Sequence, residues 1–447
     1  MKRMLAVLAL AGCAGASHGS SLPAVFTRTP AHTAGALHRA GTVNPIQHVV
    51  IIVQENRSFD NLFNGFPGAD TVRTGVDSQG NEVPLHPTGL GVTYDLNHSH
   101  HYFEIEYDKG AMNGFDLEQV HPGAKETPPP DTAYGYVRES KVDPYWTMAE
   151  HYALADRMFQ TNAGPSFPAH QYLLSGTSAI DTTGKLYAMD NPNEVYLSNV
   201  GGCDDPPKVT VNLINPATNY QPKKAGSTCF DHPVLMDLLD QAGITWRYYQ
   251  THMGPGLWNG PDAVRHIRYG PDYANVVTPD TQILTDIQNN ALPGVSWVIP
   301  TGAESDHAGV CNDSGPRWVA QVVNAIGESP YWDSTAIFVV WDDWGGWYDH
   351  VAPQQFNYYE LGFRVPLIAI SPWSKHWYVS HVQHEFGSIL KFTEETFGLP
   401  SLGYTDARAD DLSDMFNFKQ TLKPFQPIPA ASPAPADRAD LRDPDDD

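Results

Sequence analysis

Residues 46–53 form a nearly continuous apolar, β-branched run, the pattern of a strand in a parallel sheet covered on both faces. Short apolar runs bounded by Gly, Pro or Asp recur at 244–249, 295–299, 335–341 and 366–370, and each reads as a further strand. Between them the apolar positions change period. Val234, Leu235, Leu238, Leu239 and Ala242, ended by Gly243, share one helical face, as do Trp318, Val319, Val322, Val323 and Ile326, ended by Gly327. This alternation predicts an α/β fold: a doubly wound, mostly parallel sheet with loop-rich insertions, in which ligands bind beyond the carboxyl ends of the strands.

Outside these elements the pattern lapses. Residues 64–142 show little periodicity and 180–230 are dense in Asn, Pro and Gly, so both read as insertions into one folded domain over 45–422. Residues 22–44, rich in Ala, Thr, Gly and His, read as a spacer. The Pro/Ala-rich stretch 423–447, ending in Asp-Pro-Asp-Asp-Asp, has too little apolar content for a core and is expected to be a disordered tail. At the other end, Lys2 and Arg3 precede an apolar run over 5–11 and then small residues, which reads as an export signal over 1–21. Leu10-Ala11-Gly12-Cys13 has the form of a lipobox, so two readings stay open: a lipidated Cys13, or ordinary cleavage within 14–21. The expected location is periplasmic, extracellular or lipid-anchored at the cell envelope. Past the N-terminus no uncharged apolar run reaches ~18 residues, so no transmembrane helix is expected and any membrane contact would be peripheral.

Composition narrows the partners. Lys and Arg number 27 against 51 Asp and Glu, a formal net charge of −24, which excludes a basic face for polyanions and with it nucleic acid. In an oxidising compartment Cys203 and Cys229, close in sequence, are the natural disulfide pair. Cys311 is left as a buried or unpaired thiol, since no nucleophile signature surrounds it.

The chemistry-bearing residues follow strands. Glu55 and Asn56 come directly after the first apolar run, in Gln54-Glu55-Asn56-Arg57-Ser58-Phe59-Asp60. Asp342 and Asp343 follow 335–341 in the same way, in Trp341-Asp342-Asp343-Trp344-Gly345-Gly346-Trp347-Tyr348-Asp349-His350. Adjacent carboxylates past a buried strand are costly to hold together unless a cation neutralises them. Three carboxylates and an amide oxygen suit one oxygen-preferring divalent ion, with Ca, Mg, Mn and Zn all open; on pattern alone the same residues also read as helix caps and surface charge. Ser166 lies in a breaker-rich turn, Asn162-Ala163-Gly164-Pro165-Ser166-Phe167-Pro168, where it reads either as an ordinary turn residue or as a hydroxyl activated by a metal. His98, in Asp95-Leu96-Asn97-His98-Ser99-His100-His101, and His307, after Glu304-Ser305-Asp306, could place positive charge on a phosphoryl group or a proton on its leaving oxygen. In so acidic a chain a metal and a few histidines would have to supply the positive field at such a site.

Taken together with Met112-Asn113-Gly114-Phe115, 361–366, Ile370-Ser371-Pro372, Val379-Ser380-His381 and Phe397-Gly398-Leu399-Pro400, these segments run in order over roughly 44–402. The set resembles the bacterial phosphoesterase family that contains phospholipases C of the haemolytic and nonhaemolytic types and related acid phosphatases. The resemblance implies a fold similar to alkaline phosphatase and a single metal held by Glu55, Asn56, Asp342 and Asp343. It implies Ser166 as a nucleophile that also touches the metal and passes through a phosphoserine. His98 and His307 would contact the phosphoryl group or serve the leaving group, and His350 would support the site from behind. Two departures from the family pattern stand out. Ala169-His170 replaces the Asn-Arg that relatives often carry after the nucleophile turn, which leaves a substrate contact there in doubt. Lys2-Arg3 stands where many have twin arginines.

The expected function is therefore metal-dependent hydrolysis of a phosphomonoester or a phospholipid. A lipid substrate would favour exposed aromatics at the site mouth, for which Trp258, Trp344, Trp347, Trp373 and Trp377 are available; the other reading is that most of them pack the core. The competing reading is an inactive surface protein that binds metal or phosphorylated ligands without turnover. A sulfatase-like activity lacks the Cys/Ser-x-Pro-x-Arg context it requires.

Overall fold

The computed structural model describes residues 44–121, 128–193, 199–310 and 312–430. The export signal, the lipobox at Cys13, the spacer up to 43, Cys311 and residues 431–447 lie outside the described residues. The central sheet has eight strands: β1 (His48–Gln54), β2 (Ala153–Ala155), β3 (Trp246–Tyr249), β4 (Val276–Val277), β5 (Val295–Val298), β6 (Thr335–Trp341), β7 (Leu367–Ile370) and β8 (Tyr378–Ser380). Their order is β4-β3-β5-β1-β6-β7-β2-β8. Seven run the same way, and β7 alone is antiparallel to its neighbours β6 and β2. The mostly parallel sheet read from the strand and helix pattern is thus present. The expected strands are all in it. The very short β2, β4 and β8 extend it beyond what periodicity could reveal.

β1 lies mid-sheet, and Val49, Val50, Ile51, Ile52 and Val53 are fully buried, each such side chain giving on the order of 1.5–3 kcal/mol of gross burial free energy. Helices cover both faces: α1 (Asp143–His151), α2 (Ser166–Ser175), α3 (Leu235–Ala242), α4 (Gly315–Gly327) and α5 (Phe386–Phe397). Side chains three apart on a strand point to opposite faces. Accordingly Phe338 packs on Phe392 of α5 with ring centroids 5.0 Å apart, while Trp341 packs on Tyr145 of α1 at 4.9 Å. α4 joins α1 on its side, and α2 joins α5 on the other.

The two helix terminators differ. Gly243 caps α3 with φ 69°, as a left-handed terminator should. Gly327 does not end α4 in that way; it is the last helical residue, and Glu328 follows in the right-handed region. Its lack of a side chain serves packing, since a Cβ there would lie 2.5 Å from the Phe425 ring. Phe425 belongs to the stretch expected to be a disordered tail. That expectation fails for 423–430: Phe425 packs on Trp332 at 4.8 Å, Ile428 is buried, and Asn324 of α4 exchanges two hydrogen bonds with the Ile428 backbone.

The insertions are tied in locally. His86–Thr88 pairs with Gly135–Val137 and Asp95–Leu96 with Val120–His121, which carries His98 toward the sheet. In the second insertion Tyr187–Ala188 pairs with Leu213–Ile214, and Cys203 and Cys229 form the expected disulfide. No helix among the described residues is long and apolar enough to cross a membrane.

Candidate functional site

β1 and β6 are adjacent and parallel, with Gln54 opposite Trp341, so the residues just past each strand meet at one edge. The Asp342 N–H donates to Gln54 O at 2.9 Å. Asn56 takes φ 58°, a left-handed conformation that Asn tolerates better than most residues, and its N–H donates to Asp342 Oδ1 at 3.0 Å. The same oxygen accepts the Asp343 N–H at 2.7 Å, and Asp343 Oδ1 accepts the Gly345 N–H at 2.7 Å. Gly345 must be glycine: its φ is 60°, and a Cβ would lie 2.2 Å from Asn56 O. These bonds leave Asp342 Oδ2 buried with no hydrogen-bond partner among the described residues.

Ser166 opens α2 and is fully buried. Its hydroxyl donates to Asp343 Oδ2 at 3.2 Å and lies 3.4 Å from Asn56 Oδ1. Gln160 fixes the turn before it: its Nε2 donates to Asn162 O at 2.6 Å and to Gly164 O at 2.9 Å, and its Oε1 accepts the Trp344 N–H at 3.0 Å. One side chain thus ties the serine turn to the loop that carries both aspartates.

The histidines orient the amide between them. His98 Nδ1 donates to Leu96 O at 2.7 Å and His307 Nδ1 to Ala308 O at 2.5 Å, because a carbonyl can only accept. Both Nε2 atoms then face Asn56 Nδ2, at 2.9 and 3.0 Å. With both rings neutral the amide donates to each, which turns Asn56 Oδ1 toward Ser166. Burial works against a charge on His98, but Asp343, Asp95, the Leu96 carbonyl and Asp342 together push it up to about 9, against the neutral form that the Asn56 amide fits. A cation shared by Asp342 and Asp343 would remove much of that pull. Burial lowers His307. Asp343 is held well above the usual carboxylate range, by burial first and the charge of Asp342 second.

All five expected ligands, Glu55, Asn56, Ser166, Asp342 and Asp343, meet here with His98 and His307. His350 does not; its Nδ1 lies 2.5 Å from Asp60 Oδ2 and its Nε2 3.2 Å from Asp70 Oδ1. Of the two readings of the five tryptophans, the core one holds for most: among the described residues they form no exposed mouth at this site. Trp344 and Trp347 are fully buried, Trp373 packs near Phe418, and the exposed Trp377 precedes β8, at the sheet edge opposite the site. Trp258 and Trp344 are the two of the five with ring contacts to site histidines, and both are buried: the Trp258 ring lies 6.3 Å from that of His307, and Trp344 meets His98 edge-on.

His170 is the site residue that sequence reasoning missed. It is fully enclosed, with Nε2 3.0 Å from Glu55 Oε1 and 3.9 Å from Asp342 Oδ2. Glu55, His170 and Asp342 can each offer a ligand atom to one ion. Its spacing carried the signal: it stands four residues after Ser166 on a helix, hence on the same face. Two other groups have similar donor sets, Asp60 with Asp349 and His350, and His384 with Asp410 and Asp414.

The sequence model of the Phosphoesterase family matches residues 46–400. The chain is similar to the "Hemolytic phospholipase C" of Pseudomonas aeruginosa, 26% identical over 85% of this chain and 57% of that protein. It is similar to the "Non-hemolytic phospholipase C" of the same organism, 27% identical over 95% of this chain and 65% of that one. It thus spans less than two thirds of either relative. Among solved structures, a protein of the alkaline phosphatase superfamily from Vibrio parahaemolyticus overlays with TM-score 0.38 and 10% identity, over 86% of this chain and 74% of that one.

Proposed function

Because the chain belongs to the Phosphoesterase family, we propose that it hydrolyses phosphoric esters with Ser166 as the nucleophile. The observation that carries this reading is the convergence of the buried Ser166 hydroxyl, the Asn56 amide oxygen and the two aspartates at one strand edge. The donor set fits a divalent cation. No Lys or Arg forms an ion pair with Asp342 or Asp343 among the described residues, and Asp342 Oδ2 is left without a partner, a costly arrangement unless a cation is shared. Glu55, Asn56, Asp342 and Asp343 would hold that ion, which would lower the pKa of the serine hydroxyl and balance charge on the phosphoryl oxygens.

Ser166 Oγ attacks phosphorus in line, the bond to the leaving oxygen breaks, and a phosphoserine forms. Water then attacks phosphorus from the vacated side and releases Ser166 with inorganic phosphate or a phosphorylated head group. The proton of the Ser166 hydroxyl passes through His98 or His307, whose Nε2 must first release Asn56 Nδ2, to the leaving oxygen, and the attacking water returns a proton to Ser166 by the same route. The names of the relatives support a phospholipid head-group ester as substrate. The fully enclosed serine, with Trp258 beside His307 itself buried, supports a small phosphomonoester.

The test is hydrolysis of p-nitrophenyl phosphate and p-nitrophenylphosphorylcholine by the mature protein, with and without chelator, beside Ser166→Ala. Turnover of at least one ester that both chelation and the substitution abolish is the expected result, and the preferred ester identifies the substrate class. Metal uptake with no turnover of either ester would favour the binding-protein reading. Full activity in Ser166→Ala would remove the serine from the mechanism.

A further inference from the structure

His170 faces the acidic cluster with a nitrogen whose hydrogen is accounted for elsewhere. The Tyr248 hydroxyl spends its single hydrogen on Trp258 O, 2.5 Å away. Its oxygen therefore meets His170 Nδ1, at 3.3 Å, as an acceptor, and Nδ1 carries the ring's hydrogen. In the neutral tautomer so fixed, Nε2 turns a lone pair toward Glu55 Oε1 at 3.0 Å, with the partnerless Asp342 Oδ2 at 3.9 Å. Two acceptors facing each other at that distance repel unless something positive lies between them. Two ligand atoms ~2.1 Å from one ion sit about 3.0 Å apart at right angles and about 3.4 Å apart at the tetrahedral angle, so His170 Nε2 and Glu55 Oε1, 3.0 Å apart, are close enough to share one ion.

We infer that His170 Nε2 is a further ligand of the divalent ion, beside Glu55 and Asp342, and that this nitrogen makes the site prefer Zn²⁺ or Co²⁺ over Ca²⁺ or Mg²⁺. The inference rests on the metal-centred reading above and deepens it. Ca²⁺ and Mg²⁺ take oxygen donors, whereas imidazole suits zinc and its neighbours among the transition ions. α2 then carries both nucleophile and ligand, one turn apart, so the helix sets Ser166 relative to the ion through a rigid backbone. The same ring with a hydrogen on Nε2, as the other neutral tautomer or as an imidazolium, would instead donate to Glu55 and bind no ion, and the experiment separates these states from the ligand.

Metal is stripped from the purified protein, and Zn²⁺ and Ca²⁺ affinities are measured by competition against a chromophoric chelator for wild type, His170→Ala and His170→Gln. Each protein is also loaded with Cu²⁺ and examined by pulsed EPR for the remote nitrogen of a coordinated imidazole. The expected result is a fall in Zn²⁺ affinity of roughly tenfold or more in both variants, with Ca²⁺ affinity changed much less and the imidazole signal lost. Gln keeps the volume of the site, so it reads the ligand even where Ala fails to fold. A wild type that binds ions while both variants keep its Zn²⁺ affinity and nitrogen signal would overturn the role of His170 and leave the serine–metal reading intact. A wild type that binds no ion would overturn both.

Discussion

Two buried acidic clusters follow the same pair of strands, and they are balanced in opposite ways. Asp60 stands five residues past Glu55, and Asp349 six past Asp343. In this outer cluster Arg364 Nε donates to Asp349 Oδ1 at 2.8 Å, a second Arg364 nitrogen lies 3.5 Å from Asp60 Oδ2, and His350 Nδ1 lies 2.5 Å from the same oxygen. Both carboxylates and the guanidinium are fully enclosed. At the strand ends, Asp342 and Asp343 have no Lys or Arg ion pair among the described residues; the charge-capable neighbours are His170 and His98, each 3.9 Å away. The chain supplies its own cation to one cluster and withholds it from the other. The first braces the two strand-end loops, and the second is the cluster proposed above to take a cation and a phosphoryl group from outside.

The largest effect that sharpens this contrast is on chemistry. Ser166→Ala is expected to lower kcat/KM for the preferred ester by roughly 10⁴-fold or more while leaving the unfolding midpoint close to wild type, measured by steady-state assay and thermal denaturation. Next is the brace. Arg364→Met strands two buried carboxylates and should destabilise the protein by about 3–5 kcal/mol in urea titration; an unchanged midpoint would break the comparison. Third is the strand-end cluster, where the sign reverses. Asp343→Asn relieves the repulsion from Asp342, so the metal-free variant should unfold later than metal-free wild type. Chelation should cost wild type about 2.7 kcal/mol at an initial ion concentration 100 times its Kd and the variant much less, read by denaturation with and without chelator. The smallest effect is at the far edge of the sheet: Trp377→Ala should leave turnover of either ester within about twofold.

The core of this picture was legible because strands and their ends are local patterns. The run 46–53 and the run 335–341 each announce a buried strand, and the carboxylates directly after them could be assigned to one edge without knowing the fold in detail. What escaped depends on contacts between distant segments. β2, β4 and β8 are two or three residues long, too short for any period, and form because a neighbouring strand is already in place. His170 acquires its meaning from Glu55, 115 positions earlier, and only once α2 is docked over the strand ends. Phe425 and Ile428 sit in a Pro/Ala-rich stretch whose composition reads as tail, yet Gly327 leaves room for one ring and Asn324 anchors the other residue's backbone. The tryptophans left two readings open, because an aromatic side chain carries the same letter in a core and at a mouth; the core reading holds for Trp258, Trp344 and Trp347.

If Ser166 carries the phosphoryl group, acid quenching during turnover traps it there. Protein mixed with excess substrate is denatured in acid during turnover, digested, and its peptides are examined by mass spectrometry. One added phosphoryl group is expected on the peptide containing Ser166, absent from the Ser166→Ala digest and from protein stripped of metal before mixing. Sustained turnover with phosphate on another residue, or on none under conditions that preserve phosphoserine, would contradict it.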